Sequence, residues 1–157
     1  IIKYSSREIE KEDLNTIINT SLFTSFQNKN ESCHFSVVCS QECITKINSI
    51  IKKDGEDVFM GAPVVIIISS SKSDSSAQEK CIEASKTMAL AAHSLGIASY
   101  IIEDFSTLKN SSKLNDCQQE LMIPEDFVPY EGIVLGYKAD SEPYFSEQIS
   151  DNITYIY

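Results

Sequence analysis

The chain has 157 residues, 42% of them hydrophobic and 23% charged, and a formal net charge of -10 at pH 7. A domain of this length buries about 70% of its unfolded surface, so residues 1–157 are expected to fold as a single domain without a disulfide or metal staple. The acidic balance excludes nucleic acid and anionic lipid as expected partners, since both are held by clustered Lys and Arg, and any anion site must be local. The longest apolar run, Val64 to Ile68, is far shorter than the roughly 20 residues that span a bilayer.

In chain order, Leu14, Ile17, Ile18 and Leu22 recur at helical spacing behind Glu10, Glu12 and Asp13, which predicts a first helix over Lys11 to Leu22. Thr24 to Ser32 is polar and aperiodic, hence a loop. His34 to Cys39 alternates as a strand does, and Ser40 then suits the N-cap of a helix carrying Ile44, Ile47 and Ile51. Val64 to Ile68 is β-branched throughout, the pattern of a strand covered on both faces, and Ser69 to Ser76 is expected to be a solvated loop.

From Ala77 to Leu95, Cys81, Ala84, Met88, Ala91, Ala92 and Leu95 form a stripe, with Gly96 placed to end the helix. A strand over Ile97 to Ile102, a helix over Ser106 to Leu121 and a strand over Gly132 to Tyr137 follow. The tail, Asn152 to Tyr157, alternates and suits a terminal strand, either local or added to a partner's sheet. There is no internal repeat and no Pro/Gly-rich linker.

The five cysteines are odd in number and irregularly spaced, which fits reduced thiols in a reducing compartment and a cytoplasmic location. Cys33, His34, Cys39 and Cys43 cluster in sequence but lack C-x-x-C spacing, so buried thiols are expected there and no metal site. His34 and His93 are read as structural. No nucleophile elbow, phosphate-binding loop or H-E-x-x-H motif occurs.

Four stretches, in order, resemble the nitroreductase family. Lys3-Tyr4-Ser5-Ser6-Arg7 is similar to its opening R-x-S-x-R element, with Lys in place of the first Arg. Phe59-Met60-Gly61-Ala62-Pro63 running into Val64 resembles its F-x-x-A-P-V strand entry. Met88 to Ile97 resembles the N-M-x-L-A-A-x-S-L-G helix end, except that Thr87 stands where Asn is usual. Ile123-Pro124-Glu125-Asp126-Phe127 with Gly132 to Tyr137 resembles the I-P-E-x-[YF] turn and the I-x-L-G-Y strand.

The resemblance implies an α+β nitroreductase-like fold, a central mixed β-sheet flanked by helices. It also implies a homodimer with FMN at the interface and the C-terminal segment reaching the other subunit. The implied activity is hydride uptake from NADH or NADPH and transfer, in a ping-pong cycle, to a nitroaromatic, quinone or similar acceptor. The implied cofactor-binding residues are Lys3, Tyr4, Ser5 and Arg7. Of these, Lys3 and Ser5 would meet the phosphate or ribityl chain and Arg7 the pyrimidine edge. The backbone of Ile102, Glu103 and Asp104 would approach flavin N5. Taken alone, Lys3 and Arg7 read as solvated surface charges and Glu103 and Asp104 as a solvated strand end; the surrounding family pattern is what reverses the reading of Lys3 and Arg7.

Two departures stand out. After the first helix, Lys29 replaces an Asn of the family pattern, possessing a charge that can compensate elsewhere, and Cys33 replaces a Trp. Beyond Lys138 the chain has no Lys or Arg where relatives offer one to the phosphate. Each lost charge-assisted contact costs roughly 1.5 to 3 kcal/mol, so two such losses weaken FMN binding by about a hundredfold or more. A rival reading is therefore a degenerate dimeric scaffold with weak or lost flavin binding, acting in binding or sensing. A thiol or metal redox protein is a third, resting on cysteine count alone.

Overall fold

The computed structural model describes residues 3–26, 33–51, 55–103, 105, 112–139 and 152–157. Its elements in chain order are α1 (Lys11–Phe26), β1 (Cys33–Val38), α2 (Gln41–Ile51), β2 (Val64–Ser71), α3 (Ala77–Ser94), β3 (Ala98–Ile102), α4 (Leu114–Glu120) and β4 (Phe127–Gly136). The strands form one sheet in the order β1-β2-β4-β3. The architecture is α+β, with helices on both faces. Its described pairings are all antiparallel rather than mixed. β2 and β3 do run parallel, joined through α3, but β4 returns between them, so the two parallel strands never pair.

Local chemistry sets the helix ends. Ser40 Oγ accepts a hydrogen bond from Cys43 N at 3.3 Å, the N-cap contact expected for α2. At the end of α3, Gly96 takes φ +75°, while Ile97 N donates to Ala92 O and Gly96 N to His93 O, closing a Schellman turn. At its start, Asp74 Oδ1 accepts from Ser76 N and Oγ, and Asp74 Oδ2 pairs with Lys80 Nζ at 2.8 Å.

Alternation along β2 splits the core into two layers. Val64, Ile66 and Ile68 pack with Ile17 of α1, Met88 and Ala92 of α3, and Ile133 and Leu135 of β4. Val65 and Ile67 face the other way, onto Ile44 and Ile47 of α2, Phe59, Phe105, Cys117 of α4 and Val134.

Several boundaries differ from expectation. α1 continues to Phe26, taking in Thr24 to Phe26 of the expected loop. β1 spans Cys33–Val38, one residue earlier than read. β2 continues through Ser69, Ser70 and Ser71, which pair with Pro129, Val128 and Phe127 of β4. Tertiary pairing overrides their polar, loop-like composition, and Ser69 and Ser70 are buried. β4 begins at Phe127, five residues before Gly132, and Pro129 is tolerated because a β-bulge interrupts the ladder beside it.

Ser112 and Lys113 form a turn before α4, so the described part of the expected Ser106 to Leu121 helix starts at Leu114; residues 106–111 lie outside the described residues. Asn152 to Tyr157 forms no strand, and its side chains are exposed.

Candidate functional site

The N-terminal arm is tied to the end of β4 by backbone hydrogen bonds. Ser5 N donates to Tyr137 O at 2.7 Å and Ala139 N to Lys3 O at 2.8 Å, around an antiparallel bridge between Tyr4 and Lys138. The Arg7 guanidinium lies 3.9 Å from the centroid of the Tyr137 ring. Ser5 Oγ accepts from Arg7 N at 3.2 Å, which leaves the Ser5 hydroxyl hydrogen for another acceptor. The half-buried Tyr4 ring packs where a Cβ on Gly136 would stand 2.6 Å from Tyr4 Cδ1 and 2.8 Å from Pro63 Cδ. Only glycine admits this approach.

Gly136 also pairs with Ala98, directly after the Gly96 turn. Tertiary structure therefore gathers the arm, the Ala62-Pro63 entry to β2, the end of α3 and the Gly136-Tyr137 end of β4 at one end of the sheet. Lys3, Arg7 and Lys138 are exposed there, a local group of cations on an acidic protein. Lys138 and Tyr137 are not among the cofactor-binding residues expected from sequence. The signal that finds them is pairing with the arm, which spacing alone does not carry.

Ile102 and Glu103 lie elsewhere. Ile102 pairs with Gly132, four residues along the strand from the Ala98–Gly136 pair, about 13 Å away at strand rise. Glu103 is exposed and Phe105, two residues on, is buried, with its ring where a Cβ on Gly132 would come to 3.2 Å. The chain thus does not bring Ile102 and Glu103 into contact with the arm. Lys29 and Asp104 lie outside the described residues.

An open groove of about 400 Å³ runs along β1 and is lined by His34, Ser36, Cys39, Cys43, Glu120 and neighbouring residues. It contains none of the expected site residues. Burial pushes the Cys43 thiol up, and the Glu120 carboxylate, 3.7 Å from Cys43 Sγ, adds to this. Cys39 is also raised by burial. Such thiols stay protonated at neutral pH and make poor nucleophiles. Among the described residues, no three His, Cys, Asp or Glu side chains are grouped to hold a metal.

Residues 50–137 match the family model described as the nitroreductase family. The chain belongs to the nitroreductase family. A protein of Methanothermobacter thermautotrophicus with the provisional name NADH dehydrogenase/NAD(P)H nitroreductase is 29% identical over 153 residues, covering 90% of this chain and 73% of the relative. The crystal structure of a nitroreductase with bound FMN from Bacteroides fragilis is similar at TM-score 0.80 and 25% identity, over 100% of this chain and 92% of that one. A nitroreductase with bound FMN from Desulfitobacterium hafniense is similar at TM-score 0.73 and 20% identity, over 99% and 92% of the two chains. The nitroreductase fold is thereby independently matched over the whole length. Among the described residues, no helix is long and apolar enough to cross a membrane.

Proposed function

We propose that this single-domain chain is a cytoplasmic, homodimeric FMN-dependent oxidoreductase that takes hydride from NADH or NADPH and reduces a nitroaromatic, quinone or similar small acceptor in a ping-pong cycle. The observation that carries this reading is the cationic arm, with Lys3 and Lys138 brought to one end of the sheet by a backbone ladder and Arg7 stacked on Tyr137. The donor chemistry fits a phosphorylated flavin: three exposed cations, of which Arg7 is positioned by the Tyr137 ring, and a serine hydroxyl with its hydrogen uncommitted.

FMN, when bound, supplies the hydride chemistry. The protein's part is to bind and orient. Lys3 neutralises phosphate, and Ser5 Oγ donates to an anionic oxygen. The Tyr137 ring takes one face of the Arg7 guanidinium, which leaves the in-plane N–H groups of Arg7 to meet a developing negative charge. Ile102 and the two residues that follow it in sequence, Glu103 and Asp104, would contribute main-chain N–H groups, and Tyr4 would anchor the arm. Lys29 would add a further cation. The dimer is supported by exposed apolar side chains at Tyr100, Ile153, Tyr155, Ile156 and Tyr157.

The test is flavin binding. Purified protein with FMN is expected to turn yellow, absorbing at about 450 nm, and to bleach on NADH or NADPH. Arg7→Ala should weaken FMN affinity by about tenfold or more, the equivalent of one charge-assisted hydrogen bond, while Lys86→Ala on the exposed face of α3 leaves it unchanged. Equal loss in both variants removes the assignment of Arg7. A colourless protein that FMN does not stabilise supports the degenerate scaffold, a reading favoured by the absence of any Lys or Arg after Lys138.

A further inference from the structure

Of the five cysteines, two face each other across the α3 layer. Cys33 opens β1 and packs, half-buried, against the core on that face, while Cys81 of α3 is fully buried in it. Their sulfurs are 4.0 Å apart, although 48 residues separate them in sequence. Cα atoms of β1 and α3 approach to within 8 Å. The other three thiols are placed differently: Cys43 meets Glu120, Cys117 on the inner face of α4 is buried in the opposite core layer, and Cys39 is exposed beyond the end of β1.

We propose that Cys33 and Cys81 form a peroxide-responsive thiol pair that closes reversibly to a disulfide, fastening the head of β1 to α3. This does not rest on flavin binding. A disulfide bond is about 2 Å long, so the sulfurs must close by roughly 2 Å, and rotation of the Cys33 side chain at the strand end is the simplest route. Cys33 is the partner that a small oxidant can reach. The Cys81 thiol is held protonated by its contact with Cys33 and by burial, with the buried Glu131 carboxylate acting in the same direction. Cys81 acts second because it is fully buried from the oxidant and its sulfur already stands 4.0 Å from that of Cys33; proximity, not acidity, makes it the resolving thiol.

The chemistry balances with hydrogen peroxide as oxidant. Cys33 sulfur attacks one peroxide oxygen, the O–O bond breaks, and a sulfenic acid and water result. Cys81 sulfur then attacks the sulfenic sulfur, the S–O bond breaks, and the S–S bond forms as a second water leaves with the two thiol protons accounted for. Two thiols are oxidised by two electrons and one peroxide is reduced to two waters. An added dithiol reverses the bond by exchange. The bridge would fix the strand that directly follows residues 27–32, the segment carrying Lys29.

The experiment treats the native full chain with hydrogen peroxide, alkylates the remaining thiols and maps disulfides under non-reducing conditions. Tryptic cleavage leaves Cys33, Cys39 and Cys43 on one peptide, so fragment ions must locate the bridge. The expected result is a fall from five free thiols to three, a Cys33–Cys81 link, and return to five with dithiothreitol. Cys33→Ser is expected to abolish the link and to leave Cys81 as a free thiol; Cys81→Ser provides the reciprocal test if it folds. The proposal is overturned if the wild type keeps all five thiols, forms a different bridge, oxidises Cys33 only to sulfinic or sulfonic acid, or bridges only after unfolding.

Discussion

Among the described residues, Met122 is one of two non-glycine residues with positive φ, at 55°. It ends α4 as Gly96 ends α3: Ile123 N donates to Gln118 O and Met122 N to Gln119 O. A side chain in this left-handed region costs about 1 kcal/mol, and Met122 is 84% exposed, so it recovers little by packing. Met122→Gly is expected to raise stability by about 0.5 to 1 kcal/mol in urea melts, and a loss of stability would refute the account of the cap.

Asp74 makes a second prediction at this scale. Hydrogen bonds from Lys80 and then Ser76 lower its carboxyl from 3.8 to about 2. A depressed folded value means that the carboxylate favours folding above the ordinary range and loses that contribution as pH falls through it. The stability gap between wild type and Asp74→Asn is expected to be constant above about pH 5 and to shrink between roughly pH 4 and 2. Denaturation curves at stepped pH read this directly.

The elements were legible where their signals are local. The stripe of α3 and its Gly96 stop are written in the spacing of small and apolar residues, and Ser40 caps α2 as its type suggests. Strand ends were not legible. Ser69 to Ser71 and Phe127 to Glu131 are strand because each finds the other, and no local property of serine, proline or glutamate announces a partner some 60 residues away. The α3 stripe also supports a mutational contrast. Met88 is fully buried, so Met88→Ala should cost about 2 to 5 kcal/mol, whereas Lys86→Ala on the exposed face should stay within about 0.5 kcal/mol. Similar midpoints in guanidinium melts would show that α3 does not pack as described.

For the molecule as a whole, Gly136 is where separate stretches meet. A Cβ there enters both the Tyr4 ring and the Pro63 ring. Gly136→Ala must displace the arm or the entry to β2, at an expected cost of about 1 to 3 kcal/mol. Thermal melts give that cost, and limited proteolysis shows whether the arm detaches; unchanged stability with a protected arm would contradict the packing.

The sequence by itself determined the family and the core-facing helices, because periodicity, caps and short motifs are properties of neighbouring residues. It also supplied Lys3, Tyr4, Ser5 and Arg7 as candidates. Tertiary structure alone decided that this arm pairs with 137–139, that Tyr137 stacks on Arg7, that Ile102 lies about 13 Å along β3 from Ala98, and that Cys33 meets Cys81. Each of these is a contact between residues far apart in the chain, and such contacts are fixed by how whole elements pack rather than by the order of residues within any one of them.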